Sequence, residues 1–196
     1  MSGVQITLER QFLLFGQYCD IKRSTFTREE SSLACEAARR FQQLELLLGR
    51  IYKLESRLHE VFVRPNANDA GSRQAQEAIA RSIDTISLEL ITFVEAFYYF
   101  AWRLREVLRQ LPGLKKFDAP GIRYVRNHLI EHPEKKSHLL RQAFAFDPKQ
   151  GPVLKPINKE QRDPKVSDKG LWENVRELQE VLDRSLSKAA KHTQHV

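Results

Sequence analysis

Apolar residues recur at alternating steps of three and four along much of this chain, and two long stretches keep that step without a break. In the first, Leu44, Leu47, Ile51, Leu54, Leu58 and Val61 stay on one seam, because steps averaging 3.5 residues nearly match the helical period. Upstream, Thr27-Arg28-Glu29-Glu30 has the form of a capping box, with the threonine hydroxyl accepting from the third helical amide and the glutamate reaching back. Pro65 forbids continuation. The spacing therefore predicts a helix over Arg28–Val63. In the second stretch, Ile79, Ile83, Ile86, Leu90, Phe93, Phe97, Phe100, Leu104, Val107 and Leu111 keep the step until Pro112-Gly113. That predicts a helix over 74–111, about 55–60 Å long at the usual rise.

Between the two lies PNANDAGS, a loop by composition. Two seams joined by a short polar loop describe an antiparallel helical hairpin, with Leu47, Leu54, Phe93 and Phe100 expected between the helices. Beside the seam residues Phe97 and Phe100, Tyr98, Tyr99 and Trp102 place aromatics off the seam, which implies a second surface covered by more protein.

Shorter elements follow. Asp118 is suited to cap a helix, Pro120 to sit in its first turn, and Pro133 to end it, which predicts a short helix over 119–132. HLLRQAFAFD and GPVLKPI flank Pro148-Lys149-Gln150, suggesting an extended or β-hairpin-like arm over 137–158, although Pro152 and Pro156 restrict its pairing. A polar stretch, NKEQRDPKVSDKG, reads as a linker. Asp168 can cap a last helix over 169–190, in which Leu171, Val175, Leu178, Leu182 and Leu186 form a stripe. The expected fold is all-α: a long antiparallel hairpin braced by a short helix and a C-terminal helix, with a short arm. At 196 residues one domain over 1–196 suffices, with 27–132 holding the hairpin and the short helix.

Composition narrows the setting. Hydrophobic residues make up 41% and charged residues 29%, a balance that supports a folded core. The first twenty residues lack a basic leader followed by a sustained apolar run, so they do not resemble a secretory signal. The most apolar segment, 86–104, contains Glu89, Glu95 and Arg103, each costly in lipid, so no membrane span is expected. Cys19 and Cys35 are the only thiols, too few for a disulfide framework. The expected compartment is the reduced cytoplasm.

Charge is concentrated. The formal net charge is +7, and residues 101–141 alone hold ten basic side chains against four acidic ones, a net of +6. His128, His132 and His138 lie in the same window. A polyanion would be drawn there, although exposed charge also serves solubility.

Within that window, RYVRNHLIEHP at 123–133 holds two arginines and two histidines. On a helix, Ile122, Val125 and Leu129 form a narrow apolar stripe, with Arg126 on one flank and His132 on the other, about 120° apart. They cannot converge on one phosphate from a single helix. Two copies meeting about a two-fold axis could place the arginine of one beside the histidine of the other. Imidazole can take the proton from a ribose 2′-hydroxyl, and guanidinium can hold the phosphate as charge accumulates, without a metal.

An arginine, a polar residue and then a histidine, on a helix that follows a long helical hairpin, resembles the HEPN superfamily. Here Arg126-Asn127 and His132 carry the match, with five residues between arginine and histidine. The resemblance extends over 27–132 in architecture. It implies a small all-α homodimer joined along its motif helices, with Arg126 and His132 as the catalytic pair of a metal-independent endoribonuclease and Asn127 as their polar accessory. It implies no cofactor, and a toxin–antitoxin or phage-defence setting with a cognate antitoxin as partner. Non-catalytic HEPN proteins act as binding or regulatory modules. Arg123, His128, Lys135, Lys136 and Arg141 are the expected RNA contacts around that pair.

Other readings compete on the same residues. Arg123 and His128 also fit an arginine–histidine spacing, with four residues between; the asparagine after Arg126 favours the Arg126 register. His128, Glu131 and His132 spell HxxEH, an inverted zinc-peptidase pattern whose histidines share a helix face, on a helix too short for that fold. An interaction protein that uses only its Leu and Phe seams is the third reading.

Overall fold

The computed structural model describes residues 6–63, 73–126, 142–147, 151–156 and 170–191. Its elements run α1 (Glu9–Lys22), α2 (Arg28–Val63), α3 (Arg73–Leu108), α4 (Pro120–Val125), β1 (Gln142–Asp147), β2 (Gly151–Pro156) and α5 (Leu171–Lys191).

Helix α2 begins where the capping box places it. The Thr27 hydroxyl accepts from the Glu30 amide at 3.1 Å, and the Glu30 carboxylate accepts from the Thr27 amide at 2.7 Å, which satisfies two amides that a helix start leaves without partners. Helices α2 and α3, each of 36 residues, pack closely as the expected hairpin. The expected seam holds at Leu44, Ile51, Leu54, Leu58, Ile86, Leu90, Phe97 and Leu104 and moves by one residue at Leu47, Phe93 and Phe100. Leu44, Leu48, Ile51, Leu54 and Leu58 of α2 meet Ile86, Leu90, Val94, Phe97, Ala101, Leu104 and Leu108 of α3, none more than 5% exposed. Leu47, Phe93 and Phe100, expected between the helices, are partly buried along its margins. The real period of 3.6 residues is slightly longer than a strict 3.5-residue step, which favours Leu48, Val94 and Ala101 over Leu47, Phe93 and Phe100 at those positions.

Helix α3 ends at Leu108, before the expected 111. Gln110 and Leu111 close tighter turns onto Val107 and Leu108, at 3.1 and 3.0 Å. Gly113 then takes φ +76°, a left-handed conformation that glycine adopts without a Cβ penalty. The buried Tyr18 hydroxyl donates to the Pro112 carbonyl at 2.8 Å, tying this corner to α1.

Helix α1 had no counterpart among the expected elements. Its N-cap residue Leu8 and its Gln11, Phe15 and Tyr18 are buried, spaced three, four and three, but a glutamine interrupts the apolar stripe. Gln11 Nε2 donates to Asp183 of α5 at 3.0 Å, so the donor end of this buried side chain is satisfied, while among the described residues its Oε1 has no hydrogen-bond partner. The Leu8 amide donates to the Glu45 carboxylate of α2 at 2.7 Å. A side chain from another helix thus caps α1, which local sequence cannot reveal.

The C-terminal stripe is as expected: Leu171, Val175, Leu178, Leu182 and Leu186 are all buried, each contributing roughly 1.5–3 kcal/mol relative to exposure. Helix α5 packs on α1 and touches α4 and β2. Strands β1 and β2 form an antiparallel hairpin with Phe144 opposite Leu154 and Asp147 opposite Gly151. Pro152 and Pro156 share one parity on β2, so both can face the unpaired edge, where a missing N–H breaks no ladder bond. No helix among the described residues is long and apolar enough to cross a membrane.

Candidate nucleic-acid interface

The short helix α4 is held from three sides. Ile122 and Val125 bury its apolar stripe. The Gly121 amide donates to the Glu177 carboxylate of α5 at 3.3 Å. Between α3 and α4, Asp118 bridges two guanidinium groups: Arg105 Nε donates to it at 2.8 Å and Arg123 Nη1 lies 3.2 Å away. Arg105 is only 5% exposed, and Glu106 contacts its Nη1.

This corrects one expectation. Asp118 does not cap α4; the N-cap position is Ala119, with no side-chain cap bond. A carboxylate drawn to a buried guanidinium gains more than one that accepts a single exposed amide. Pro120 sits in the first turn as expected, where its missing N–H costs nothing.

Both arginines of the motif that fall on α4 and its end are placed, and they point to different partners. Arg123, half-exposed, pairs with Asp118. The Arg126 guanidinium carbon lies over the Trp102 indole of α3, 3.6 Å from the ring centroid. Arg103 approaches the same ring at 5.8 Å, and Tyr99, 47% exposed, lies 6.4 Å from it. Nearby, Arg40 covers Phe100 at 5.3 Å, with Glu36 bonded to Arg40 at 3.0 Å and 3.6 Å from Arg103. The Arg40 hydrogen bond, joined by neighbouring positive charge, holds the Glu36 carboxyl below its ordinary value. The upper end of the hairpin therefore carries aromatic faces interleaved with guanidinium groups.

Trp102 and Tyr99 were not among the expected site residues, although they stand among the aromatics off the seam and close in sequence to the basic window. Asn127, His128, His132, Lys135, Lys136 and Arg141 lie outside the described residues, as do the HxxEH residues of the zinc reading. Among the described residues no three His, Cys, Asp or Glu side chains group as metal ligands.

Behind α4, a fully buried network joins α3 to α5. Asn174 Nδ2 donates to the Tyr98 hydroxyl at 2.9 Å, and burial pushes the Tyr98 phenol well above its ordinary value. Asn174 Oδ1 has no hydrogen-bond partner and points at Gly121, where a Cβ would stand 2.1 Å away. Gly121 is therefore needed for close approach, not for an unusual φ. The second aromatic surface of α3 is thus half covered: Tyr98 by α5, Trp102 by Arg126, while Tyr99 stays open.

No family model matches the chain, and neither a characterised protein nor a solved structure shows significant similarity to it.

Proposed function

We propose that this chain is a HEPN-like protein that binds RNA at the upper end of its hairpin. The observation that supports this reading is the placement of Arg126 over Trp102. Stacking on an indole fixes the plane of a guanidinium without using its N–H donors for that contact, and the planar fork suits phosphate oxygens. Tyr99 adds an exposed aromatic face on which a base can stack, a contribution of about 1–3 kcal/mol per base in single-strand binders. Aromatics interleaved with cations are the combination that single-stranded RNA uses.

Cleavage is the stronger form of the same reading. In it, His132 of one protomer takes the 2′-hydroxyl proton while Arg126 of its two-fold mate holds the phosphate, so a homodimer is required and no metal is. The products are a 2′,3′-cyclic phosphate and a free 5′-hydroxyl, and DNA, lacking the nucleophile, survives.

The test is incubation of wild type, Arg126→Ala and His132→Ala with single-stranded RNA in EDTA, with binding measured on the same samples. Cleavage by wild type alone establishes the enzyme. Binding that weakens in Arg126→Ala without cleavage establishes the non-catalytic module. RNA neither bound nor cut ends the reading, and cutting only with added zinc transfers it to the HxxEH pattern.

A further inference from the structure

A groove of about 1060 Å³ opens between the end of α1, the α3–α4 loop and the outer face of α5. Its rim carries Lys22, Lys115, Lys116, Arg184 and Lys188, contributed by all three parts of the chain. The four residues Lys115, Lys116, Arg184 and Lys188 are exposed, and among the described residues none of the five rim cations has a carboxylate within salt-bridge distance. The two acids that line the groove are already engaged: Asp118 by Arg105 and Arg123, and Glu177 by the Gly121 amide. The groove therefore presents a positive charge that no carboxylate among the described residues pairs with.

We propose that this groove holds the phosphodiester backbone of a single-stranded RNA, in addition to the Arg126–Trp102 surface; the proposal rests on RNA being the ligand there. Cations spread along an open groove match successive phosphates better than one enclosed anion, because each neutralised phosphate releases its own counterions. The groove is also continuous with α4. Asp118, Pro120 and Gly121 form part of its wall, and Arg126 lies five residues further on, about 7–8 Å along a helix axis. A strand seated among the lysines is thereby led toward the stacked arginine.

The experiment measures binding of a fluorescent 2′-O-methyl oligouridylate twelve nucleotides long, which lacks the free 2′-hydroxyl and cannot be cut by that route, across a salt series. The triple variant Lys115→Gln, Lys116→Gln, Lys188→Gln is compared with Arg50→Gln, Lys53→Gln, Arg57→Gln, which removes the same charge from exposed positions of α2. The groove variant should weaken binding by roughly tenfold to a hundredfold and lower the salt slope by about two, at about 0.7 per phosphate contact on a single strand. The α2 variant should change both far less. Equal effects of the two variants, or none from the groove variant while Arg126→Ala still weakens binding, overturns the groove and leaves the RNA reading standing. No binding by wild type overturns both. Displacement of the strand by poly-glutamate of equal charge at equal concentration also overturns the proposal, since the groove would then serve an acidic protein segment.

Discussion

The Arg126 guanidinium carbon stands 3.6 Å from the centroid of the Trp102 indole, so the last described residue of the motif helix region is tied directly to the second helix of the hairpin. At that distance and partial burial the contact is worth about 0.5–2 kcal/mol. A double-mutant cycle of Arg126→Ala and Trp102→Ala, read by urea denaturation, should give a coupling energy of about 1 kcal/mol. Trp102→Phe should retain part of it, because a smaller ring keeps a weaker face for the cation. Additive losses in the cycle would mean that the two side chains do not meet in solution.

Gly121 should be intolerant of a side chain. Replacing it with alanine drives a Cβ to within 2.1 Å of Asn174 Oδ1, and Asn174 is fully buried with its other end bonded to Tyr98. Neither side can yield cheaply, so the expected loss is about 1–3 kcal/mol, the usual range for overpacking. Gly49→Ala is the natural comparison. It lies inside α2, and a Cβ added there would meet nothing within 4 Å, so alanine should stabilise by about 0.5–1 kcal/mol. Denaturation midpoints that moved the same way in both variants would contradict this packing.

Asp118 separates two accounts of one residue. If it capped α4, serine would replace it with little loss, since serine caps as well as aspartate does. Because it instead neutralises the buried Arg105, Asp118→Ser should cost about 1–3 kcal/mol. That figure is reduced from the buried-pair range because Asp118 is partly open to solvent and Glu106 remains beside Arg105. Thermal unfolding decides between them: a variant as stable as wild type restores the capping account.

These cases show which parts of the structure were legible in the sequence. The capping box at Thr27 and the stripe on α5 are local, repeating signals that need no partner to be recognised, and both appear where the pattern puts them. The seam centre at Leu48 in place of Leu47 depends on the true helical period, which a step of three and four only approximates. Helix α1 was hidden because Gln11 occupies a buried position on its apolar stripe, where its Nε2 meets Asp183, far along the chain. The same holds for the candidate site. Arg126 stood out as a motif residue, but its partner Trp102 and the diversion of Asp118 to Arg105 follow from how α4 lies on α3. That packing is tertiary and leaves no spacing to read.

Glu55 gives the protein a pH dependence of unusual sign. Its carboxylate accepts from Trp172 Nε1 at 3.2 and 3.1 Å, yet burial dominates that hydrogen bond and pushes its pKa up from 4.5 to about 7. The folded state therefore binds this proton more tightly than the unfolded chain does. Between about pH 4.5 and 7 the native side is protonated while the unfolded side is not, so stability falls as pH rises through that window and is lowest above it. The shift corresponds to about 3 kcal/mol at most, with solvent reaching part of the side chain lowering the real figure. Glu55→Gln keeps the shape and an oxygen to accept from Trp172 but cannot ionise. It should be more stable than wild type at about pH 8, by about 1–2 kcal/mol after that reduction, and should lose the advantage at about pH 5. Urea titrations at the two pH values provide the check, with Trp172 fluorescence reporting ionisation of its neighbour. If wild type and Glu55→Gln keep the same stability difference at both pH values, the carboxylate does not titrate in this range and the α2–α5 contact is an ordinary hydrogen bond.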